Sequence, residues 1–585
     1  MILQRIVFPL PRQAEAAGLY YRSTGELQIQ NRYSAYIPAG ETMELCTYFN
    51  AFSARRWKAF TSIKNVFLFT ELSGKGTIRL MFADQRKAVC IQEQICSMEK
   101  KTAFLFPVEL TDRPGVYYLE AEAMEGAALV VHNAGFETKE PPLLSVRIAL
   151  VTCTFHREEQ LYQNINQIKT EILENRTSAL REFLNVFVID NGKSLPNAKF
   201  FSPQIRLFSN ANTGGSGGFA RGMAEALRER ERHGYTHVLL MDDDVTFDTE
   251  CLERTYALLC FLRKHYRAAA VGGAMLRSDA PCLLEEAGAK WPGRLKRLGH
   301  GLDLAEIPAL FQYDAIGNAE YQAWWYCCIP MSVIGQDQLP LPFFIHGDDI
   351  EYGLRNYKYV LQLNGICVWH DTFENKRPSY LEYYDVRNQL IVNAIHDGRI
   401  LLTRQLLDIF KRSVGLIFRM RYKDVELVVR GIEDFLKGPK WWARQDAEKL
   451  HQKIINVGYT WQMYSEEALS KAERVKEAAP VSKWKRAMCF LTLNGAFFPK
   501  KKMPVLITCG CNPFVLYRRK EAYLWEPVSQ KAVHVRFSMR SLAKTYVCLF
   551  GALLDLTVRY PSVKAQYQHE AVRIGSMRYW GTVYR

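Results

Sequence analysis

The residues best suited to chemistry are those of Met241-Asp242-Asp243-Asp244-Val245, three carboxylates that follow the apolar run His237-Val-Leu-Leu-Met241. Adjacent side chains on an extended strand point opposite ways, so the spacing predicts Asp242 and Asp244 on one side and Asp243 on the other. Two converging carboxylates suit a hard divalent cation, Mg²⁺ or Mn²⁺, which also takes diphosphate oxygens; a solvated acidic loop is the plainer reading. A second acidic cluster lies in Phe343-Phe-Ile-His-Gly-Asp-Asp-Ile-Glu-Tyr352. There Asp348 or Asp349 could deprotonate an acceptor hydroxyl, or simply cap the first turn of a helix. His370, in Trp369-His370-Asp371, is either a satisfied core histidine or a ligand for Mn²⁺. Trp324 and Trp325 offer aromatic faces of the kind that bind sugar rings, and core packing explains such residues equally well.

The glycine-rich string Asn212-Thr-Gly-Gly-Ser-Gly-Gly-Phe-Ala-Arg-Gly222 separates a strand from a helix. Glycines such as Gly214 and Gly215 let backbone N–H groups approach a ligand, and a helix N-terminus favours negative charge. The string is neither a G-x-G-x-x-G fingerprint nor a P-loop, and a flexible loop is the alternative. The elements around these residues alternate. Val146–Thr154 reads as a strand buried on both faces, and a polar helix follows from about Glu158 to Leu184. The run Val186–Ile189 ends in Asp190-Asn191-Gly192. Then come Ile205–Phe208, a helix from about Phe219 to Arg232, and the run into the Asp triplet. Such repetition predicts a parallel α/β sheet, whose ligands gather beyond the carboxyl ends of its strands. Arg157, Asp190, Asn212 and the triplet all fall there.

A chain of 585 residues exceeds one hydrophobic core, so several domains are expected. Residues 1 to 140 read as a β-sandwich with a binding, assembly or purely packing role. Its short runs are Leu27–Ile29, Met43–Phe49, Asn65–Leu72, Thr77–Phe82, Val116–Ala121 and Ala128–Val131. Residues 141 to 400 form the α/β domain, and 401 to 585 a mainly helical, basic domain with helices over Leu401–Lys437 and Glu466–Ala478. The net charge of +15 draws polyanions. With no zinc-finger spacing, RNP-type motif or long basic block, no nucleic acid partner is expected. The 14 cysteines lack framework spacing, which suits a reducing compartment, and Cys509-Gly-Cys511 has no second pair to complete a metal site. Met1–Arg12 meets Pro9 and Pro11 too soon for a secretory signal. No run of about 18 apolar residues is apparent, since Tyr546–Leu554 is cut off by Asp555. The expectation is a cytoplasmic protein. Lys483-Trp-Lys-Arg486, Phe497-Phe498-Pro499 and Lys500-Lys-Lys502 suit a peripheral contact with the anionic inner face of the plasma membrane, or a solvated basic face.

Taken together, the sequence resembles GT-A fold inverting glycosyltransferases of the family 2 type, and more narrowly the polymerising galactofuranosyltransferases of bacterial cell-wall galactan. The strings that carry the resemblance are Thr47-Tyr-Phe-Asn-Ala-Phe52, Cys153-Thr-Phe-His-Arg157, Asn212 to Arg221, the triplet, Trp324-Trp325, Asp348-Asp349, Trp369-His370 and Tyr383-Tyr-Asp-Val-Arg-Asn388. It spans residues 1 to about 400. It implies an N-terminal β-sandwich, a GT-A (Rossmann-like) domain and a mainly α-helical C-terminal domain. Arg157, Asp190 and Asn212, with Gly214, Gly215, Asp242 and Asp243, would contact a UDP-sugar donor. Asp242, Asp244 and His370 would hold Mn²⁺ or Mg²⁺. Asp349 would be the base with Asp348 beside it, and Trp324, Trp325 and His346 would line the acceptor site. The implied reaction is a single displacement from UDP-galactofuranose to a lipid-linked or cell-surface glycan, with a homo-oligomer expected. His156, where the family often shows another polar residue, leaves the donor open. A rhamnosyltransferase using a dTDP-sugar is the alternative within the class, and a non-catalytic carbohydrate-binding scaffold the alternative outside it. The Q-x-x-R-W motif of self-translocating synthases is missing from the sequence.

Overall fold

A computed structural model describes residues 1–196, 201–372, 378–465, 469–470, 472–474, 481–508, 510–526 and 530–584. The N-terminal domain is all-β, but its nine strands share one hydrogen-bonded sheet. The runs at 65–72 and 77–82 belong to a single strand, Val66–Ala83. One of its edges pairs with Ala88–Val108; the other pairs with Leu129–Glu137 and then Val116–Ala123. Gly74 lets the strand continue, because its φ is 109° and a Cβ there would meet the Ala128 carbonyl oxygen at 2.2 Å. Sequence pattern misses Ala88–Val108 because most of its residues on both faces are exposed, leaving no apolar alternation to read. Met43–Phe49 shortens to Thr42–Glu44, and Tyr48 and Phe49 are buried outside any strand.

This sheet shares its core with the next domain: Leu68 and Phe136 fall in one buried cluster with Leu150 and Leu239. Side chains tie the seam. Asn364 Nδ2 donates to the Tyr48 carbonyl at 3.0 Å, and Arg56 donates to the Tyr313 carbonyl at 2.8 Å. Thr47 to Phe52, read from sequence only as a family marker, is part of this seam.

In the central sheet the strands Ile205–Ser209, Leu184–Asp190, Ile148–Thr154, His237–Leu240, Cys327–Pro330, Ala270–Gly272 and Val360–Leu361 lie side by side in that order. The first four are parallel, and Cys327–Pro330 runs against both neighbours. The chain steps outward from Ile148–Thr154 and then returns to its other side as His237–Leu240. That reversal opens a crevice at the strand ends, the usual ligand position in open α/β sheets. The helix expected to reach Leu184 ends by Leu173, where Asn175 turns the chain by accepting the Thr177 N–H at 3.0 Å. The helix expected from Phe219 already begins at Gly214.

The C-terminal region packs helices Leu381–Ile395, Leu402–Phe418, Tyr422–Leu436 and Met539–Ile574 around one apolar cluster. It also holds a small sheet of Glu473–Arg474, Val505–Thr508, Glu521–Glu526 and Lys531–Arg536 that sequence reading overlooked. The helix expected over 466–478 and Cys509 fall largely outside the described residues. Contrary to expectation, Met539–Ile574 is long and apolar enough to cross a membrane by length and composition, with a window of mean hydropathy 1.4 that is 22% buried. Counting an unbroken run stops at Asp555, whereas one charge barely moves an 18-residue average. The last helix, Met577–Val583, docks back on the α/β domain: Trp580 Nε1 donates to the Pro340 carbonyl at 2.8 Å, and the Tyr584 hydroxyl to the Gly217 carbonyl at 3.0 Å.

Candidate active site

The triplet leaves the sheet just after Leu240 and sits in a turn, not on the strand. Alternation is therefore not what sorts its side chains. Asp243 is buried and turns back toward Thr154 and Arg157, while Asp242 and Asp244 are half-buried and converge with His370. Arg157, just before helix Glu158–Ile168, reaches both Asp243 and Asp244. A second, four-stranded sheet completes the group. Its strand Cys367–His370 pairs with Thr246–Phe247 so that Trp369 lies opposite Thr246, which delivers His370 to the triplet across 126 residues of sequence. His370 Nε2 lies 3.2 Å from Asp244 Oδ1, and its Nδ1 donates to the Asp371 carbonyl at 2.6 Å. That second hydrogen bond turns Nε2 toward the carboxylates, as outer hydrogen bonds do for ligating histidines. Donor atoms of Asp242, Asp244 and His370 all lie within 4.8 Å of one another. One nitrogen and two carboxylate oxygens form a donor set suited to Mn²⁺ or a similar cation.

The group lines a cavity of about 960 Å³ together with Gly215, Trp324, Trp325, His346, Asp348 and Asp349. Asp348 and Asp349 open helix Asp348–Asn356. The preceding loop is strained, with Phe344, His346 and Gly347 at φ of 76°, 61° and 94°, values that non-glycine residues hold only when their surroundings impose them. Helix Leu381–Ile395 imposes them. Asn388 Nδ2 donates to the Ile345 and His346 carbonyls, each at 2.7 Å, and Arg387 donates to the Phe343 carbonyl at 2.9 Å. Asp385 on the same helix accepts from His346 Nδ1 at 2.8 Å and from Arg412 at 2.7 Å. The string Tyr383 to Asn388 thus holds the loop that precedes Asp348 and Asp349. Sequence reasoning used it only as a family marker, although Asp385, Asn388 and Val392 recur at helical spacing.

Burial and mutual repulsion govern the electrostatics. Burial raises Asp242, with Asp244 adding to it, and raises Asp243 to about 6. Asp244 stays below the usual carboxylate range: burial pushes it up, but the hydrogen bond and charge of His370, then Arg157, prevail. Asp348 and Asp349 are raised by burial, and nearby His346 holds both down. Glu286, which sequence reasoning missed, lines the same cavity and rises to about 8 through burial and the neighbouring Asp349. Carboxylates crowded around one space favour a cation there, and Arg157 already supplies one positive charge.

Several expected residues take other positions. Asp190, Asn212 and Gly214 do not line the cavity. Asp190 accepts the Gly192 and Leu195 N–H groups, each at 2.9 Å, and Asn212 accepts the Gly214 N–H at 3.2 Å. The glycines are mostly explained by packing. A Cβ on Gly218 would lie 2.0 Å from Cys153 Sγ, one on Gly222 2.1 Å from Val151, and one on Gly214 2.1 Å from the Phe344 carbonyl oxygen. Only Gly215, among those before Phe219, faces open space, and its N–H already donates to the Phe344 carbonyl at 3.1 Å. Trp324 and Trp325 are both nearly buried, and Trp325 Nε1 donates to the Gly273 carbonyl at 3.0 Å. They meet both readings, core packing and cavity wall.

Residues 149–280 match the Glycosyl transferase family 2 model, and residues 3–139 match Galactofuranosyltransferase 2 N-terminal. The chain is a glycosyltransferase built around a family 2 domain. It is similar along most of its length to two proteins named galactofuranosyltransferase GlfT2. The one from Mycolicibacterium smegmatis is 26% identical over 544 residues, covering 82% of this chain and 79% of that protein. The one from Mycobacterium tuberculosis is 27% identical over 485 residues, covering 75% and 73%.

Proposed function

We propose that this enzyme transfers galactofuranose from UDP-galactofuranose to a growing glycan acceptor, with inversion at the anomeric carbon. The observation that carries the reading is the convergence of Asp242, Asp244 and His370 on one point beside Asp349 in a single cavity. Similarity to the named galactofuranosyltransferases supports the sugar. Asp242, Asp244 and His370 would hold Mn²⁺ or Mg²⁺, which when bound neutralises charge on the leaving diphosphate. Arg157 stands beside the same carboxylates and serves the diphosphate as well. Asp190 and Asn212 shape the loops at the donor end of the crevice.

On the acceptor side Trp324 and Trp325 form part of the cavity wall that meets the sugar. Asp349 takes the hydroxyl proton as that oxygen attacks, and its raised pKa suits a base working near neutral pH. Asp348 shares the negative field, and His346 with Asp385 keeps Asp349 ionised. The acceptor is a lipid-linked or cell-surface glycan. The enzyme works at the inner face of the membrane, where exposed Trp484, Leu491 and Phe497 stand among the lysines of the C-terminal region. Incubation with UDP-galactofuranose or dTDP-rhamnose and a synthetic galactan acceptor tests the donor. Galactofuranose transfer that EDTA abolishes is expected; rhamnose transfer, or activity indifferent to EDTA, contradicts the reading.

A further inference from the structure

A second cavity, of about 530 Å³, shares one lining residue, Trp291, with the active-site cavity. The short hairpin Ala289–Lys290/Lys296–Arg297 contributes to both. Adjacent side chains of a strand point to opposite faces. Arg297 lines the active-site cavity and pairs with Glu285 at 2.7 Å, whereas Lys290 and Lys296 line the second cavity. Those two lysines stand directly opposite each other in the hairpin register, an arrangement that like charges disfavour. Lys358, between helix Asp348–Asn356 and strand Val360–Leu361, lines the same space. So does Arg399, between helices Leu381–Ile395 and Leu402–Phe418. Four cations from three separate parts of the chain are thus gathered at one cavity.

Glu320 is the one carboxylate among the lining residues, and it is already engaged. It accepts the Trp291 N–H at 2.6 Å and a hydrogen bond from Arg399 at 2.9 Å, while Arg399 also donates to the Trp291 carbonyl at 3.1 Å. Burial pushes Glu320 up, but the Trp291 N–H, then Arg399 and Lys290, hold it below its usual range, so it stays ionised. Glu320 balances Arg399. None of the three lysines has a carboxylate partner among the described residues. A compact ligand with two or more negative charges would relieve their repulsion and accept from several ammonium groups at once. A cavity of this size suits a small ligand, which favours a single phosphate or diphosphate group over an extended polyanion. We propose that this cavity is a second anion site, which takes the phosphate or diphosphate group of a ligand and is distinct from the site at the Asp triplet. Lys290, Lys296 and Lys358 bind the phosphate oxygens, and Arg399 with Glu320 fixes the Trp291 backbone beneath them. The site does not depend on which sugar the enzyme transfers.

The test is calorimetric titration of the full-length protein with inorganic pyrophosphate in EDTA, which keeps divalent cations from the triplet. Wild type binds pyrophosphate, and Asp244→Ala keeps that binding. The double variant Lys290→Gln/Lys296→Gln weakens it about tenfold or more, the loss of two charge-assisted contacts. Lys358→Gln, on a different part of the chain, also weakens it, and Lys296→Arg retains it; circular dichroism checks that each variant is folded. The inference is overturned if wild type does not bind, if Asp244→Ala abolishes binding, or if the double variant and Lys358→Gln both bind as wild type does. Titration with dihexanoyl phosphatidylglycerol, soluble as single molecules, separates the two sources of phosphate. A site for a free phosphate compound does not bind it, and a site for a lipid headgroup binds it with the same dependence on the lysines; either result supports the anion site.

Discussion

Asp349 opens its helix and His346 lies in the strained loop just before it, and their chemistry can be separated by substitution. Asp349→Asn removes the proposed base and keeps the shape. Donor binding, followed by calorimetry with UDP, should stay within about twofold, while transfer falls by about 100-fold or more. Loss of both together would argue that Asp349 serves the donor. The pH profile tests the pairing. Asp349 must be ionised to act, so activity is lost as pH falls through its raised pKa, near 6. The His346 charge, itself sustained by Asp385, holds that value down. His346→Gln therefore moves the acid limb of kcat to higher pH; an unmoved or lowered limb contradicts the coupling. At this scale the sequence was informative about residue type and misleading about cause. Asp242 and Asp244 do group together, yet through a turn and not through strand alternation. Glu286 gave no signal and Asp385 only its helical spacing, since a carboxylate in a strand or helix looks like any surface acid until the fold surrounds it.

The elements explain why the active-site loop can be strained. Asn388 satisfies two consecutive carbonyls of that loop, and each such bond contributes about 1 kcal/mol. Asn388→Ala should lower kcat about tenfold with little change in donor affinity, because the triplet hangs on other elements. Equal losses in donor affinity would show that the loop and the triplet are not independent. The four parallel strands of the central sheet were legible as short, mostly apolar runs, whereas Cys327–Pro330, Ala270–Gly272 and Val360–Leu361 were not. Sheet order, and with it the crevice, was legible only as a general rule for such sheets. What escaped was non-local. The pairing of Cys367–His370 with Thr246–Phe247 and the polar strand Ala88–Val108 depend on partners distant in sequence, and the short C-terminal sheet is built from strands too brief to show a period.

For the whole molecule, the N-terminal sheet shares the α/β core, and residues of the C-terminal region line the cavity with those of the α/β domain. The outer surface adds a membrane prediction. Lys483, Lys485, Lys501 and Lys502 are exposed beside Trp484, Leu491 and Phe497, and Val547, Leu554 and Val558 line an open face of the long helix. Replacing the four lysines by glutamine should weaken co-sedimentation with phosphatidylglycerol vesicles by tenfold or more, at about 1 kcal/mol per cation. High salt should do the same. Undiminished binding would assign the contact to the apolar helix face alone.

We propose Asp242, Asp244 and His370 as the metal site for a nucleotide diphosphate. Electron paramagnetic resonance of Mn²⁺ titrated into the protein with UDP tests it most directly. Wild type should bind one Mn²⁺ per chain only when UDP is present, and Asp244→Ala and His370→Ala should each abolish that binding while remaining folded by circular dichroism. UDP-dependent Mn²⁺ binding that survives in both variants would contradict the site.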